Sequence, residues 1–164
     1  MKFNFFKKEK EELHIYAPVN GQIVPIEEVP DPVFSQKMMG EGVAILPSNG
    51  NIYAPASGTV IQVAPTKHAV GIRANDGSEI LIHVGLETVA LKGEGFNVAV
   101  KDGDKVSAGQ LLIEVDWEYI KKNAKSTITP IVITNSMEGK KQYTVTEEKE
   151  GLQGKTIVIT SSDK

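Results

Sequence analysis

From Leu13 onward the chain breaks into short apolar runs separated by Gly, Pro, Asn and Asp. The runs are Gln22–Ile26, Gly42–Leu46, Gly58–Val63, Val70–Arg73, Glu79–Val84, Phe96–Val100, Leu111–Val115, Pro130–Thr134, Gln142–Thr146 and Thr156–Thr160. They are rich in Val, Ile, Thr and Tyr, residues that suit a pleated, half-buried surface, and they follow one another at close spacing. That pattern predicts an all-β sandwich or barrel. Only Asp116–Ala124 carries a helical signal: Asp116 can cap it, and Trp117, Ile120 and Ala124 fall on one face. Leu86–Ala90 could add one further helical turn.

The strand pattern contains an echo. Tyr16-Ala-Pro-Val-Asn-Gly-Gln-Ile-Val and Tyr53-Ala-Pro-Ala-Ser-Gly-Thr-Val-Ile match in residue type. Each reads as a strand end, a Pro-x-x-Gly turn and a new strand. Two similar turns would explain it, and so would a duplicated β motif that puts pseudo-symmetry into the sandwich. Asp102-Gly103-Asp104-Lys105-Val106 through Gly109 offers a third such turn.

Composition narrows the functional classes. The chain has 164 residues and a net charge of −3. One domain is expected, and a nucleic-acid binder working through bulk positive charge is not. The absence of Cys removes disulfides and thiolate metal sites, and it fits a reducing, cytoplasmic setting. No apolar run approaches the ~20 residues of a membrane span. Residues 1–12 stand apart from the domain at 13–164. They mix Phe3, Phe5 and Phe6 with Lys2, Lys7 and Lys8, and read as a solvated terminus or as a weak interfacial anchor at the inner face of a membrane. The Met1 start and the lysine-rich lead suggest a free-standing chain.

Candidate chemistry centres on histidine. His14 is isolated and reads as structural or solvent-facing. His68 and His83 flank Asn75-Asp76-Gly77, a strong hairpin signal. A two-residue loop at Asn75-Asp76 would set His68 directly opposite His83. A loop at Asp76-Gly77 would leave them diagonal on the same face. A three-residue loop would place them on opposite faces, because strand side chains alternate. In the first two registers Thr66 and Leu81 share the face of the histidines.

A neutral imidazole is a nucleophile near pH 7. A second imidazole and a Thr hydroxyl could hydrogen-bond phosphate oxygens, while Leu81 and Ile72 keep water away. Phosphoryl transfer needs mainly positioning and charge stabilisation, so these few groups suffice. Zinc between His68 and His83 is the competing use of the pair. A stable site would need a third or fourth protein ligand, and the chain has no H-x-H or H-E-x-x-H.

The run Glu79-Ile-Leu-Ile-His83-Val-Gly-Leu-Glu-Thr-Val-Ala-Leu-Lys-Gly-Glu-Gly-Phe96 resembles the active-site signature of the glucose-type enzyme IIA family of the bacterial sugar phosphotransferase system. Val29-Pro-Asp31-Pro-Val-Phe34-Ser-Gln-Lys37-Met-Met-Gly40-Glu-Gly42-Val-Ala44 looks like the loop segment that precedes the site in that family. Ala54-Pro55 with Gly58-Thr59, Thr66-Lys-His68-Ala69 and Ala124-Lys-Ser-Thr127-Ile-Thr-Pro130 also fit. The likeness runs over roughly residues 13 to 160. It implies an antiparallel β-sandwich, a barrel-sandwich hybrid with a duplicated motif and one or two short helices.

The resemblance also implies roles. His83 would accept a phosphoryl group on Nε2, and the Gly85 carbonyl would hold its Nδ1–H. His68 would stabilise the phosphate, and Thr66 would orient His68. The donor would be the histidine phosphocarrier protein, and the next acceptor a cysteine on the B domain of a membrane sugar permease. Asp31, Val33, Phe34, Met38, Met39, Ile72, Leu81 and Glu87 would form the partner surface. Asp31 and Glu87 would meet basic partner residues, and the methionines would supply adaptable contacts. No resident cofactor is implied, and a monomer is expected. Glucose, N-acetylglucosamine, maltose and sucrose permeases can all use this domain type, so the sugar stays open.

Some family members carry aromatics where this chain has Ala64 and Leu81, which thins the apolar ring. Read without the family, the Asp31–Phe34 stretch is a Pro-rich surface loop, and Gly93 and Gly95 are turn glycines. Two other functions compete. One is a regulatory protein whose targets read its phosphorylation state. The other is a zinc hydrolase of similar β topology, which would need the missing H-x-H.

Overall fold

A computed structural model describes residues 12–164. The described residues form fourteen strands and two short α-helices: β1 (Glu12–Tyr16), β2 (Asn20–Pro25), α1 (Pro32–Ser35), β3 (Glu41–Asn49), β4 (Ile52–Tyr53), β5 (Gly58–Val63), β6 (Ala69–Ala74), β7 (Glu79–His83), β8 (Phe96–Val98), β9 (Lys105–Val106), β10 (Leu111–Val115), α2 (Trp117–Asn123), β11 (Thr129–Ile133), β12 (Lys141–Val145), β13 (Glu150–Gly151) and β14 (Ile157–Asp163). An eight-stranded sheet has the order β13-β2-β3-β11-β7-β6-β5-β9, and two three-stranded sheets run β1-β14-β12 and β4-β10-β8. The strand pairs are antiparallel.

Each of the ten apolar runs holds a strand, while β1, β4, β9 and β13 fall outside those runs; the fold is the expected all-β sandwich. Glu12, assigned above to the N-terminal segment, is already paired in β1, opposite Ser162. The phenylalanine–lysine segment before it lies outside the described residues.

The small sheets cover one face of the large one. Side chains alternate, so one set from each strand meets them: Ile23, Val43 and Ile45, Ile131 and Ile133, Ile80 and Ile82, Val70 and Ile72. These pack with Ile15, Val158, Ile159, Leu112, Ile113 and Phe96. The other face of the central strands is also covered. Ala44, Val132, Leu81 and Ala69 lie under Ile26, Val29, Phe34, Leu86 and Ile128, which come from loops and the turn of α1. Double coverage explains why these runs read as continuous Val, Ile and Leu rather than as strict apolar–polar alternation.

The sequence echo is a true structural duplication. Tyr16 N–H bonds the Pro55 carbonyl at 2.9 Å, and Tyr53 N–H bonds the Pro18 carbonyl at 2.9 Å. The repeats thus clasp each other reciprocally. Each repeat then makes equivalent bonds to a later segment. Ala17 N–H bonds Thr156 O and Ala54 N–H bonds Gln110 O; Gly154 N–H returns to Ala17 O and Gly109 N–H to Ala54 O. Even the side-chain bonds correspond, with Gln153 N–H on Asn20 Oδ1 at 2.7 Å and Ala108 N–H on Ser57 Oγ at 2.9 Å. The third turn read from the sequence, Asp102 to Gly109, is therefore the partner of the second repeat.

α2 forms within one residue of the predicted span at each end. The Asp116 carboxylate accepts from Tyr119 N–H, Ile120 is buried, and Trp117 Nε1–H donates to the Gly50 carbonyl at 2.6 Å. The turn expected at Leu86–Ala90 is a 3₁₀ turn at Thr88–Leu91. α1 starts within the Asp31–Phe34 stretch, which by sequence resembles a Pro-rich surface loop. Its signal was present: Asp31 is an N-cap and Pro32 occupies the first helical position.

Ile131 is fully buried at the centre of the large sheet. Ile131→Ala should lower the unfolding free energy by ~2–5 kcal/mol, read from the guanidinium midpoint at constant slope.

Candidate functional site

The hairpin joining β6 to β7 sets the site. Ala74 N–H bonds Ser78 O at 2.8 Å and Gly77 N–H bonds Ala74 O at 3.0 Å, so the loop is Asn75-Asp76-Gly77. Asp76 Oδ1 accepts from Ser78 N–H at 2.9 Å, and Gly77 takes φ +92°. This is a three-residue turn with glycine in the left-handed position. The register places Ala69, not His68, opposite His83. Both two-residue registers are thereby corrected.

By strand alternation alone this register should separate the histidines. Their ring centroids nevertheless lie 4.7 Å apart, edge to face. His68 precedes β6 and follows Lys67, whose φ is +65°. The left-handed turn interrupts the alternation and carries the His68 ring over to the face of His83. The backbone pairing continues, since Val84 N–H bonds the His68 carbonyl at 2.7 Å.

His83 Nδ1 lies 2.9 Å from the Gly85 carbonyl. A carbonyl can only accept, so Nδ1 carries the proton and Nε2 the free lone pair. Gly85 has φ +77°, and a Cβ there would sit 2.7 Å from Thr88 Cγ2 and 2.9 Å from the Ser126 carbonyl. Thr66 Oγ1 and His68 Nδ1 are 2.8 Å apart. His83, His68, Thr66 and Gly85 therefore converge as one cluster.

Burial holds both imidazoles below their ordinary value. His83 is pushed down to about 4, first by burial and then by the nearby His68, against smaller opposing effects of the Gly85 carbonyl and Asp31. His68 is lowered by burial, partly offset by the backbone at Thr66. Both rings are neutral at pH 7, as a nitrogen nucleophile requires.

The surroundings divide the expected partner surface. Val33 and Met38 are exposed, at 39% and 69%, and Met39 is half-buried. Glu87 is exposed, and Asp31 is half-buried as the cap of α1. Ile72 is a correction: it is fully buried on the inner face and contributes to the core instead. Leu81 and Phe34 are also buried, forming the floor and wall of the site. Phe34 packs on His83 with centroids 5.2 Å apart. Ala64 is buried in the same floor.

Lys125 joins the rim without any signal in the sequence. Its Nζ lies 3.2 Å from the Pro30 carbonyl and 3.9 Å from the Glu87 carboxylate, so it bridges the loop before α1 and Glu87. Nothing in the linear pattern distinguishes it from neighbouring surface lysines. His14 is exposed beside Glu12, away from this cluster. A cleft of about 590 Å³ lies elsewhere, between β2, β3 and β12, and neither histidine lines it. Among the described residues no group of three His, Cys, Asp or Glu converges as a metal cluster would.

A pair of neutral, hydrogen-bonded histidines thus stands beside an apolar floor on a duplicated β-sandwich. Residues 13–139 match the family described as phosphoenolpyruvate-dependent sugar phosphotransferase system, EIIA 1. The chain belongs to that family and is a phosphotransferase-system EIIA component. It is 59% identical over 126 residues to the "PTS system glucose-specific EIIA component" of Halalkalibacterium halodurans, covering 77% of this chain and 72% of that protein. It is 47% identical over 153 residues to the "PTS system glucose-specific EIICBA component" of Staphylococcus saprophyticus, covering 93% of this chain and 22% of that longer protein. The solved glucose permease IIA from Mycoplasma capricolum superposes with a TM-score of 0.84 at 38% identity, covering 92% of this chain and 96% of that one. No helix among the described residues is long and apolar enough to cross a membrane.

Two outcomes follow from the geometry. Gly85→Ala must strain a positive φ and push against Thr88 and Ser126; a loss of a few kcal/mol is expected by chemical denaturation. Secondly, between about 4 and the ordinary 6.5 the unfolded chain binds a proton at His83 that the folded chain does not. Stability should fall as pH drops through that window and return as pH rises above it. His83→Gln should flatten part of this dependence in denaturation series at pH 4.5 and 7.

Proposed function

We propose that this chain carries a phosphoryl group on His83 Nε2, taking it from the histidine phosphocarrier protein and passing it to a cysteine on the B domain of a membrane sugar permease. The observation that carries this reading is the Nδ1–H bond to the Gly85 carbonyl, which leaves Nε2 as the nucleophile beside His68. The N–P bond of the donor breaks as the bond to Nε2 forms, and His83 keeps its Nδ1 proton. Thr66 can donate to His68 Nδ1, which leaves His68 Nε2–H to donate to a phosphate oxygen. Val33, Met38 and the Asp31 and Glu87 edges supply the docking rim. No resident cofactor is part of the relay, and zinc between His68 and His83 would be a ligand of particular complexes only. The names of the relatives favour glucose as the sugar, and an EIICBA protein among them supports a permease partner. We place the carrier in the cytoplasm, acting as a monomer.

Incubation with phosphoenolpyruvate, enzyme I and the phosphocarrier protein should give an acid-labile, base-stable adduct of about 80 Da. His83→Ala should show none; an adduct in that variant would reject the assignment. His68→Gln should still accept phosphate but pass it on poorly to the permease B domain. Transfer by that variant at the wild-type rate would remove His68 from the mechanism.

A further inference from the structure

Phe34 was expected on the docking surface, yet only 3% of it is exposed. A partner cannot grip a ring it cannot reach. That ring instead lies against His83, 5.2 Å between centroids and tilted by 60°. His68 stands edge-on at 4.7 Å, and the Gly85 carbonyl takes Nδ1. Phe34 therefore closes a further side of the imidazole to water. The ring is held in place by local chemistry. Asp31 Oδ1 accepts from Val33 N–H at 3.0 Å, and the Asp31 carbonyl accepts from Phe34 N–H and Ser35 N–H at 3.0 and 2.9 Å. Four residues do not make a stable helix unaided, so this cap and the packing on Ile26 and Val29 fix the turn.

We infer that Phe34 is a positioning residue that sets how readily His83 gives up its phosphoryl group, and not a docking contact. The inference rests on the carrier role of His83. When the phosphoryl group moves, the donor ring departs neutral and the His83 ring, protonated on Nδ1 and bonded to phosphorus at Nε2, becomes cationic. A dry, apolar wall opposes that cation, whether the added group is a proton or a phosphoryl group. Of the charged and titratable groups facing the ring, His68 opposes the cation when protonated and Asp31 favours it. Phe34 contributes the apolar contact, which keeps the phosphoryl group easy to transfer onward.

The test uses Phe34→Ala, Phe34→Val and Phe34→Leu in the full chain. One readout is the His83 pKa by NMR titration. The other is the equilibrium partition of the phosphoryl group between the phosphocarrier protein and this chain. In Phe34→Ala the pKa should rise toward the ordinary value by on the order of one unit, with the partition moving toward phosphorylated His83 by about tenfold per unit. Phe34→Leu should stay near wild type and Phe34→Val should fall between. If the alanine variant does not fold, the valine–leucine contrast carries the test. Slower transfer with both partners, at unchanged pKa and partition, would make Phe34 a docking contact after all and overturn the inference. A wild-type chain that takes up no phosphoryl group would overturn the carrier role itself, whereas an unmoved pKa across the series would overturn only the role of Phe34.

Discussion

Burial of β7 on both faces is the constraint from which the rest of the site follows. Ile80 and Ile82 point into the core between the sheets, while Leu81 and His83 point into the second apolar layer formed with α1 and the loops. A strand held on both sides cannot shift register, since a slip by one residue would exchange an isoleucine for an imidazole in the main core. His83 is therefore placed at a defined depth, with its hydrogen-bond partners chosen for it. Its neutrality at pH 7 is a consequence of that depth, and its tautomer is a consequence of the Gly85 carbonyl two residues on.

The duplicated clasp supplies the frame that holds β7 in this position. Tyr16 with Pro55 and Tyr53 with Pro18 knit the two repeats together, and each repeat feeds one strand to a small sheet and one to the large sheet. The large sheet is thus covered along its length by pieces far apart in sequence. The outer layer has a different origin. It is built from irregular segments, among them the capped turn at Asp31–Ser35, which packs Phe34 against His83. The inner core and the thinner outer layer of loops divide the work: one part fixes the position of His83, and the other leaves Val33, Met38, Glu87 and Lys125 exposed around it.

Much of this was legible in the chain. The strands follow from β-branched runs and turn residues, α2 from Asp116 and the Trp117–Ile120–Ala124 face, and the cluster of His83, His68, Thr66 and Gly85 from the motif around each histidine. Other features were not. Ile72 and Phe34 are apolar residues near the site in sequence, and nothing local distinguishes a buried one from an exposed one; that depends on which segment folds over the sheet. Lys125 becomes a bridge between Pro30 and Glu87 only because a distant loop approaches it.

The amino-acid pattern by itself determined the all-β class, the capping of α2 and the choice of His68 and His83 as the candidate pair, because these rest on periodicity and on residues near in sequence. Only the tertiary structure decided how the histidines meet. The hairpin closes through three residues, a register that parity alone would assign to separation, and the left-handed backbone at Lys67 carries His68 to the face of His83. The choice between two and three loop residues turns on competing hydrogen bonds at Asp76 and Ser78, and on a core that accepts Ile80 and Ile82 but would reject a histidine. Those preferences exist only once the sheets have closed around the strand.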